Sequence, residues 1–152
     1  MGHHTHNMLS MLFILHPSPT YDLIMAVHFH DKAEYKVGDA PSPGLRENPE
    51  LNLAYIKAER RSLKEDFGVQ LHFLHDDEAR WLNALDRLEA FFFGKDQLYL
   101  GNVNANEIIG NLFRWFLEMY REGNLPEPIR KLLNEEYHSD ERIRAIWPSS
   151  LS

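Results

Sequence analysis

Apolar residues recur along this chain at intervals of three and four, the spacing of helices that bury one face. The first such stretch runs from about His4 to Leu15 and stops at His16-Pro17-Ser18-Pro19, where two prolines forbid its continuation. Thr20 is placed to cap a second helix, expected to run through Asp31 to about Val37, with Gly38 as its left-handed terminator. A turn and loop rich in Pro and Gly occupy Asp39 to Pro49. A charged helix follows from Pro49 to about Glu65, in which Leu53, Ile56 and Ala58 alternate with Lys57, Arg60, Arg61 and Lys64. The next, from Asp77 to Phe93, repeats Trp81, Leu85, Leu88 and Phe92. From Asn104 to Arg121 the stripe Ile108, Leu112, Trp115 and Met119 reads as core or as a contact between copies. A last helix begins near Pro126, a favourable first-turn position, and ends near Tyr137. Residues 138–152 read as a loosely held tail. No alternating run suits a sheet and no internal repeat occurs, so the fold class is all-α, with residues 1–137 as a single domain.

Composition narrows the functions. At 152 residues, 43% of them hydrophobic and 26% charged, the chain can bury one sizeable core. A net charge of -7 argues against a duplex nucleic-acid partner, which calls for a basic face, but leaves room for a small anion held by local cations or a metal. The absence of cysteine removes disulfides and thiolate ligands, so any metal is held by nitrogen and oxygen. The apolar run Met8 to Leu15 lacks the basic head and small-residue cleavage site of a signal peptide. No stretch has the length of a membrane span. A cytoplasmic location is expected, and Met1-Gly2-His3-His4-Thr5-His6, interrupted by Thr5, reads as native sequence and not as a purification tag.

The chemistry concentrates at His30-Asp31-Lys32-Ala33-Glu34. An adjacent His and Asp after the apolar run Leu23-Ile24-Met25-Ala26-Val27 are costly to bury unless a partner compensates them, and a divalent metal is the usual one. On a helix Glu34 overlooks both residues, being four from His30 and three from Asp31. A turn at Gly38 folds Asp39 back towards them. Taken singly, Glu34 reads as a solvated side chain and Asp39 as a cap; together they converge from a ten-residue segment. Further ligands must come from other helices. His4 precedes Met8 and Met11-Leu12 at helical spacing, with His3 and His6 as competitors. Asp86 interrupts an apolar run between Leu85 and Leu88, an odd place for a carboxylate without a partner.

His4, His30-Asp31 and Asp86, in that order on separate helices, resemble the signature of the HD-domain metal-dependent phosphohydrolases. The run His30, Asp31, Glu34, Gly38-Asp39, Pro41 and Pro43 is similar to that of the bacterial 5′-deoxynucleotidase branch and its phage deoxynucleotide triphosphohydrolase relatives. Tyr55-Ile56-Lys57-Ala58-Glu59 and Ala84-Leu85-Asp86-Arg87-Leu88-Glu89 look similar too, so the likeness covers about His4 to Phe93.

This resemblance implies an HD-type helical bundle that hydrolyses deoxynucleoside 5′-phosphates. It also implies His4, His30, Asp31 and Asp86 as ligands to one divalent transition metal, Mn²⁺, Co²⁺, Fe²⁺ or Zn²⁺. His4 is preferred because the family's first His is followed by Ser or Thr, here Thr5. Glu34 and Asp39 are implied as the catalytic pair, one activating water and one protonating the leaving oxygen, in an order left open. In triphosphate-cleaving relatives the two help to hold an additional Mg²⁺. The family's upstream helix, with an Arg that contacts the nucleotide, has no counterpart ahead of His4. Among possible substitutes, Arg46, Lys57, Arg60, Arg61 and Lys64, the substrate-binding candidates are Lys57 and Arg61. The expected partners are a small deoxynucleotide and further copies of the chain, with no duplex nucleic acid and no membrane. Two alternatives stand beside the nucleotidase: a phage-type deoxynucleoside triphosphate triphosphohydrolase, and a non-catalytic nucleotide-binding module of the same fold.

Overall fold

The computed structural model describes residues 2–32 and 48–152, so the sequence expectations for Glu34, Gly38, Asp39, Pro41, Pro43 and Arg46 lie outside the described residues. Those described form seven helices and no strand, in keeping with the all-α expectation. They are α1 (Gly2–Leu15), α2 (Tyr21–Phe29), α3 (Pro49–Phe67), α4 (Asp76–Tyr99), α5 (Ala105–Arg121), α6 (Glu127–Ser139) and α7 (Glu141–Ile146).

The long α4 is the axis of the molecule. It packs against α1 and α2 on one side and α5 on another. Its buried residues Trp81, Ala84, Leu85, Leu88 and Phe91 follow the three-four spacing of a single face. Met8 and Leu12 of α1 and Leu23 and Val27 of α2, each pair four apart, are fully buried in the same core. Gly94 lets α5 come close: a Cβ there would stand 3.0 Å from Ile109 Cδ1. The start of α4 is tied to α2 by one side chain. Glu78 accepts a hydrogen bond from the Thr20 hydroxyl and another, at 3.0 Å, from the His75 backbone N–H. Thr20 in turn caps α2 by accepting from Leu23 N at 3.1 Å, as its sequence position predicts. At the end of α3, Gly68 takes the left-handed conformation (φ 66°) and donates its N–H to Lys64 O.

Three expectations need correction. The helix from Thr20 does not run through Asp31: α2 ends at Phe29, and His30 to Lys32 form a turn. The His30 ring occupies the Val27 carbonyl through Nδ1 at 2.9 Å, the carbonyl that Asp31 N–H would use in a continuing helix. Lys32 N–H closes instead on Phe29 O, three residues back, at 3.1 Å.

The buried stripe of α5 is also rotated from the one expected. Ile109, Leu112, Phe113 and Phe116 are buried, whereas Ile108 is exposed and Trp115 and Met119 are half-buried. Aromatic residues lie on both faces of this helix, and the one that meets α4 and the chain's last turn takes the core.

The third correction concerns residues 138–152, which are not loose. Ile143, Trp147 and Leu151 are buried. The Trp147 ring lies 5.2 Å from Phe91 and 5.1 Å from Phe113, and its Nε1 donates to Ile109 O at 3.1 Å. Asn134 accepts from Leu151 N at 2.7 Å and donates to Leu151 O at 3.2 Å, so α6 holds this segment by its backbone. No described helix is long and apolar enough to cross a membrane.

Candidate metal centre

Three separate parts of the chain deliver polar side chains to one place. His4 comes from the first turn of α1, His30 and Asp31 from the turn after α2, and Asp86 from the middle of α4. His4 Nε2 lies 3.1 Å from His30 Nε2, 3.5 Å from Asp31 Oδ2 and 3.4 Å from Asp86 Oδ1. His30 Nε2 lies 2.8 Å from Asp31 Oδ1. Donor atoms of His4, His30 and Asp31 all fall within 4.8 Å of one another, the one such grouping found among the described residues. Asp86 approaches His4 alone and stands outside this grouping, its side chain 41% exposed. His3 and His6, the competitors for the first position, are exposed and outside this grouping.

Both imidazoles are oriented from behind. His4 Nδ1 lies 2.7 Å from Glu89 Oε2, and His30 Nδ1 lies 2.9 Å from the carbonyl of Val27. A carbonyl only accepts, so His30 Nδ1 carries the proton; an ionised Glu89 imposes the same on His4. The ends of the two rings that face the cluster are therefore their Nε2 atoms, which meet each other and the Asp31 carboxylate. Glu89 is itself steadied by Asn7, whose Nδ2 donates to Oε1 at 3.1 Å. A ligand histidine whose other ring nitrogen donates to a carboxylate or carbonyl is the usual support of a metal centre.

The electrostatics point the same way. Burial alone would lower the basicity of His30, but the Asp31 carboxylate, its hydrogen-bond partner, outweighs that and holds the imidazole above its ordinary pKa. Burial likewise pushes the Asp31 carboxyl up, yet the His30 hydrogen bond and the nearby imidazole charges hold it below the usual range. The space between these side chains thus attracts positive charge, and a proton or a metal ion competes for it.

The residues present fit a metal. For bonds of about 2.1 Å, adjacent ligand atoms stand roughly 3.0 Å apart in an octahedral shell and roughly 3.4 Å apart in a tetrahedral one. The observed separations from 2.8 to 3.5 Å bracket those values. Imidazole and carboxylate donors without sulfur suit Mn²⁺, Co²⁺, Fe²⁺ or Zn²⁺.

Of the expected substrate-binding residues, Lys57 and Arg61 are exposed on α3 and do not line the cavity beside His30. The residues of α3 that do so are Ile56, Glu59, Arg60 and Leu63, a three-four stripe rotated by one residue from Lys57 and Arg61. They border a cavity of ≈ 190 Å³ that has His30 in its wall. The structure also adds Glu89, which was part of a recognised sequence segment without an assigned role. Its position three residues after Asp86, on the same face of α4, was the available signal.

Compared with known proteins, the chain matches no family model, no curated protein and no solved structure.

Proposed function

We propose that this chain is a metal-dependent phosphohydrolase acting on deoxynucleoside 5′-phosphates, releasing nucleoside and phosphate from monophosphates. The observation that carries the reading is the meeting of His4 Nε2 and His30 Nε2 at 3.1 Å, with Asp31 against both and the Nδ1 atoms committed elsewhere. The HD-type run from His30 to Pro43 supplies the reaction class.

His4, His30, Asp31 and Asp86 would hold one divalent ion. When bound, it supplies Lewis acidity towards a phosphoryl oxygen and lowers the pKa of water beside the phosphorus. Hydrolysis forms a bond from the water oxygen to phosphorus and breaks the bond from phosphorus to the 5′ oxygen. The water gives up a proton and the departing 5′ oxygen takes one, because an alkoxide leaves poorly. Glu34 and Asp39 are proposed to share these two transfers. Glu89 and the Val27 carbonyl hold the imidazoles in the tautomer that presents Nε2.

Metal analysis of the purified chain, followed by assay of phosphate and triphosphate release from deoxynucleotides with Mn²⁺ or Co²⁺, tests this reading. Bound metal with phosphate release, both abolished in Asp31→Ala, supports it. Release of triphosphate in place of phosphate assigns the triphosphohydrolase chemistry. Metal binding without turnover leaves a nucleotide-binding module, and the absence of metal binding overturns every reading built on the cluster.

A further inference from the structure

The cavity beside His30 is asymmetric in its chemistry. Phe29, Leu63 and Leu82 give it apolar walls, while His30, Glu59, Arg60 and His72 supply its polar lining, with three potential cations against one carboxylate. Arg60 is half-buried, and its guanidinium carbon stands 3.8 Å above the centre of the Phe73 ring. Phe73 is 78% exposed, in the segment between α3 and α4, so this stack places a large aromatic ring where the core does not require it. Among the described residues, no carboxylate lies within ion-pair distance of Arg60, whereas Lys95, Arg130, Lys131 and Arg144 all have one.

These features suit an anion. A guanidinium offers a planar fork that matches two oxygens of a phosphoryl group, and stacking on an aromatic face fixes that plane in advance. A partly desolvated cation with no carboxylate partner among the described residues is well placed to take an anionic ligand. The chain as a whole carries a net charge of -7 and repels anions, so a local cation beside the cluster decides whether a phosphate can dwell there. Lys57 and Arg61, set off from the Ile56-Glu59-Arg60-Leu63 stripe, do not reach this hollow.

We propose that the Arg60–Phe73 pair is the phosphate-recognition element of the substrate site. Arg60 binds oxygens of the nucleotide phosphate that take no part in bond breaking, and the apolar walls of the cavity receive part of the nucleoside. The proposal rests on the nucleotide reading of the cluster, but its readout is binding and not turnover.

Calorimetric titration of the Mn²⁺-loaded chain tests it, with two probes. One is the methylenephosphonate analogue of deoxyadenosine monophosphate, in which carbon replaces the cleavable 5′ oxygen; the other is deoxyadenosine, which has no phosphate. Arg60→Gln is expected to weaken the phosphonate at least tenfold and to leave deoxyadenosine unchanged. Arg60→Lys keeps the charge but loses the fork and the stack, and is expected to fall between Gln and Arg. Three results overturn the proposal: equal phosphonate binding by wild type and Arg60→Gln, equal weakening of both probes, or no phosphonate binding by wild type. Failure of the hydrolytic reading is separate, since it shows as phosphonate binding that depends on Arg60 in a chain without turnover.

Discussion

Glu89 stands one helical turn beyond Asp86 on α4, and its Oε2 accepts a 2.7 Å hydrogen bond from His4 Nδ1. One helix thus supplies a candidate ligand and the carboxylate that aims another. Glu89→Gln keeps the shape but gives up the charge that fixes the His4 tautomer. It is expected to lower metal affinity about 10- to 100-fold, read by competition with a chromogenic chelator. The metal-free melting temperature should stay nearly unchanged.

The cluster joins parts of the chain distant in sequence, so metal binding should stabilise the fold. With free Mn²⁺ at a hundredfold excess over its dissociation constant, the gain is about 2.7 kcal/mol. Scanning calorimetry should show a higher melting temperature with the ion, reversed by chelator. His4→Gln should melt at the same temperature with and without metal.

Much of this was legible before any coordinates. Six of the seven helices among the described residues were expected in outline because their apolar residues repeat with helical spacing and prolines mark their joints. The meeting of His4 with His30 and Asp31, and the approach of Asp86 to His4, were expected from the motif. What escaped depended on three-dimensional detail. The end of α2 turns on a side chain, the His30 ring, capturing a backbone carbonyl. Arg60 could not be told from Arg61 until the facing stripe of α3 was fixed by its neighbours. Ile143, Trp147 and Leu151 are spaced four apart, but Pro148-Ser149-Ser150 breaks the pattern and disguises core residues as a tail.

Trp147 offers a direct test of that last point. Its ring fills the space between Phe91 and Phe113 and is 1% exposed. Trp147→Ala is expected to cost about 3–5 kcal/mol by urea denaturation, a large share of the stability of a domain this size. A loose tail would show almost no change.

The junction of α4, α6 and α7 carries a pH dependence of its own. Burial pushes the Asp140 carboxyl up, but hydrogen bonds from the Tyr99 hydroxyl at 2.7 Å, Arg142 N–H at 2.9 Å and the Lys95 ammonium hold it below its ordinary value. A lowered pKa means the folded state releases this proton more readily than the unfolded chain. Its contribution is therefore complete above the unfolded value and is lost as pH falls through the folded one. Removing the charge in Asp140→Asn should cost on the order of 1.5–3 kcal/mol near pH 7. The gap between the two denaturation curves should begin to close near pH 4 and go on narrowing as pH falls further.

The same junction predicts an effect at the alkaline end. Desolvation lowers Lys95, but Glu136 and Asp140 outweigh it and hold the ammonium above its ordinary pKa. Its contribution is full below the unfolded value and fades as pH rises through the folded one. Wild type should therefore lose more stability than Lys95→Met between pH 9 and 12, the span about the ordinary lysine pKa of roughly 10.4.

The packing of Trp147 and Leu151 also has a consequence for the order in which the molecule is made. The face of α4 that carries Phe91 is closed by residues more than fifty positions later in the chain. A ribosome will have released Asp86 and Glu89 well before it delivers the indole that seals the opposite side of their helix. Until then Phe91 and Phe113 remain open to water, and a nascent chain in that state is vulnerable to association. Closure of the Phe91 face of α4 thus waits on the synthesis of Trp147.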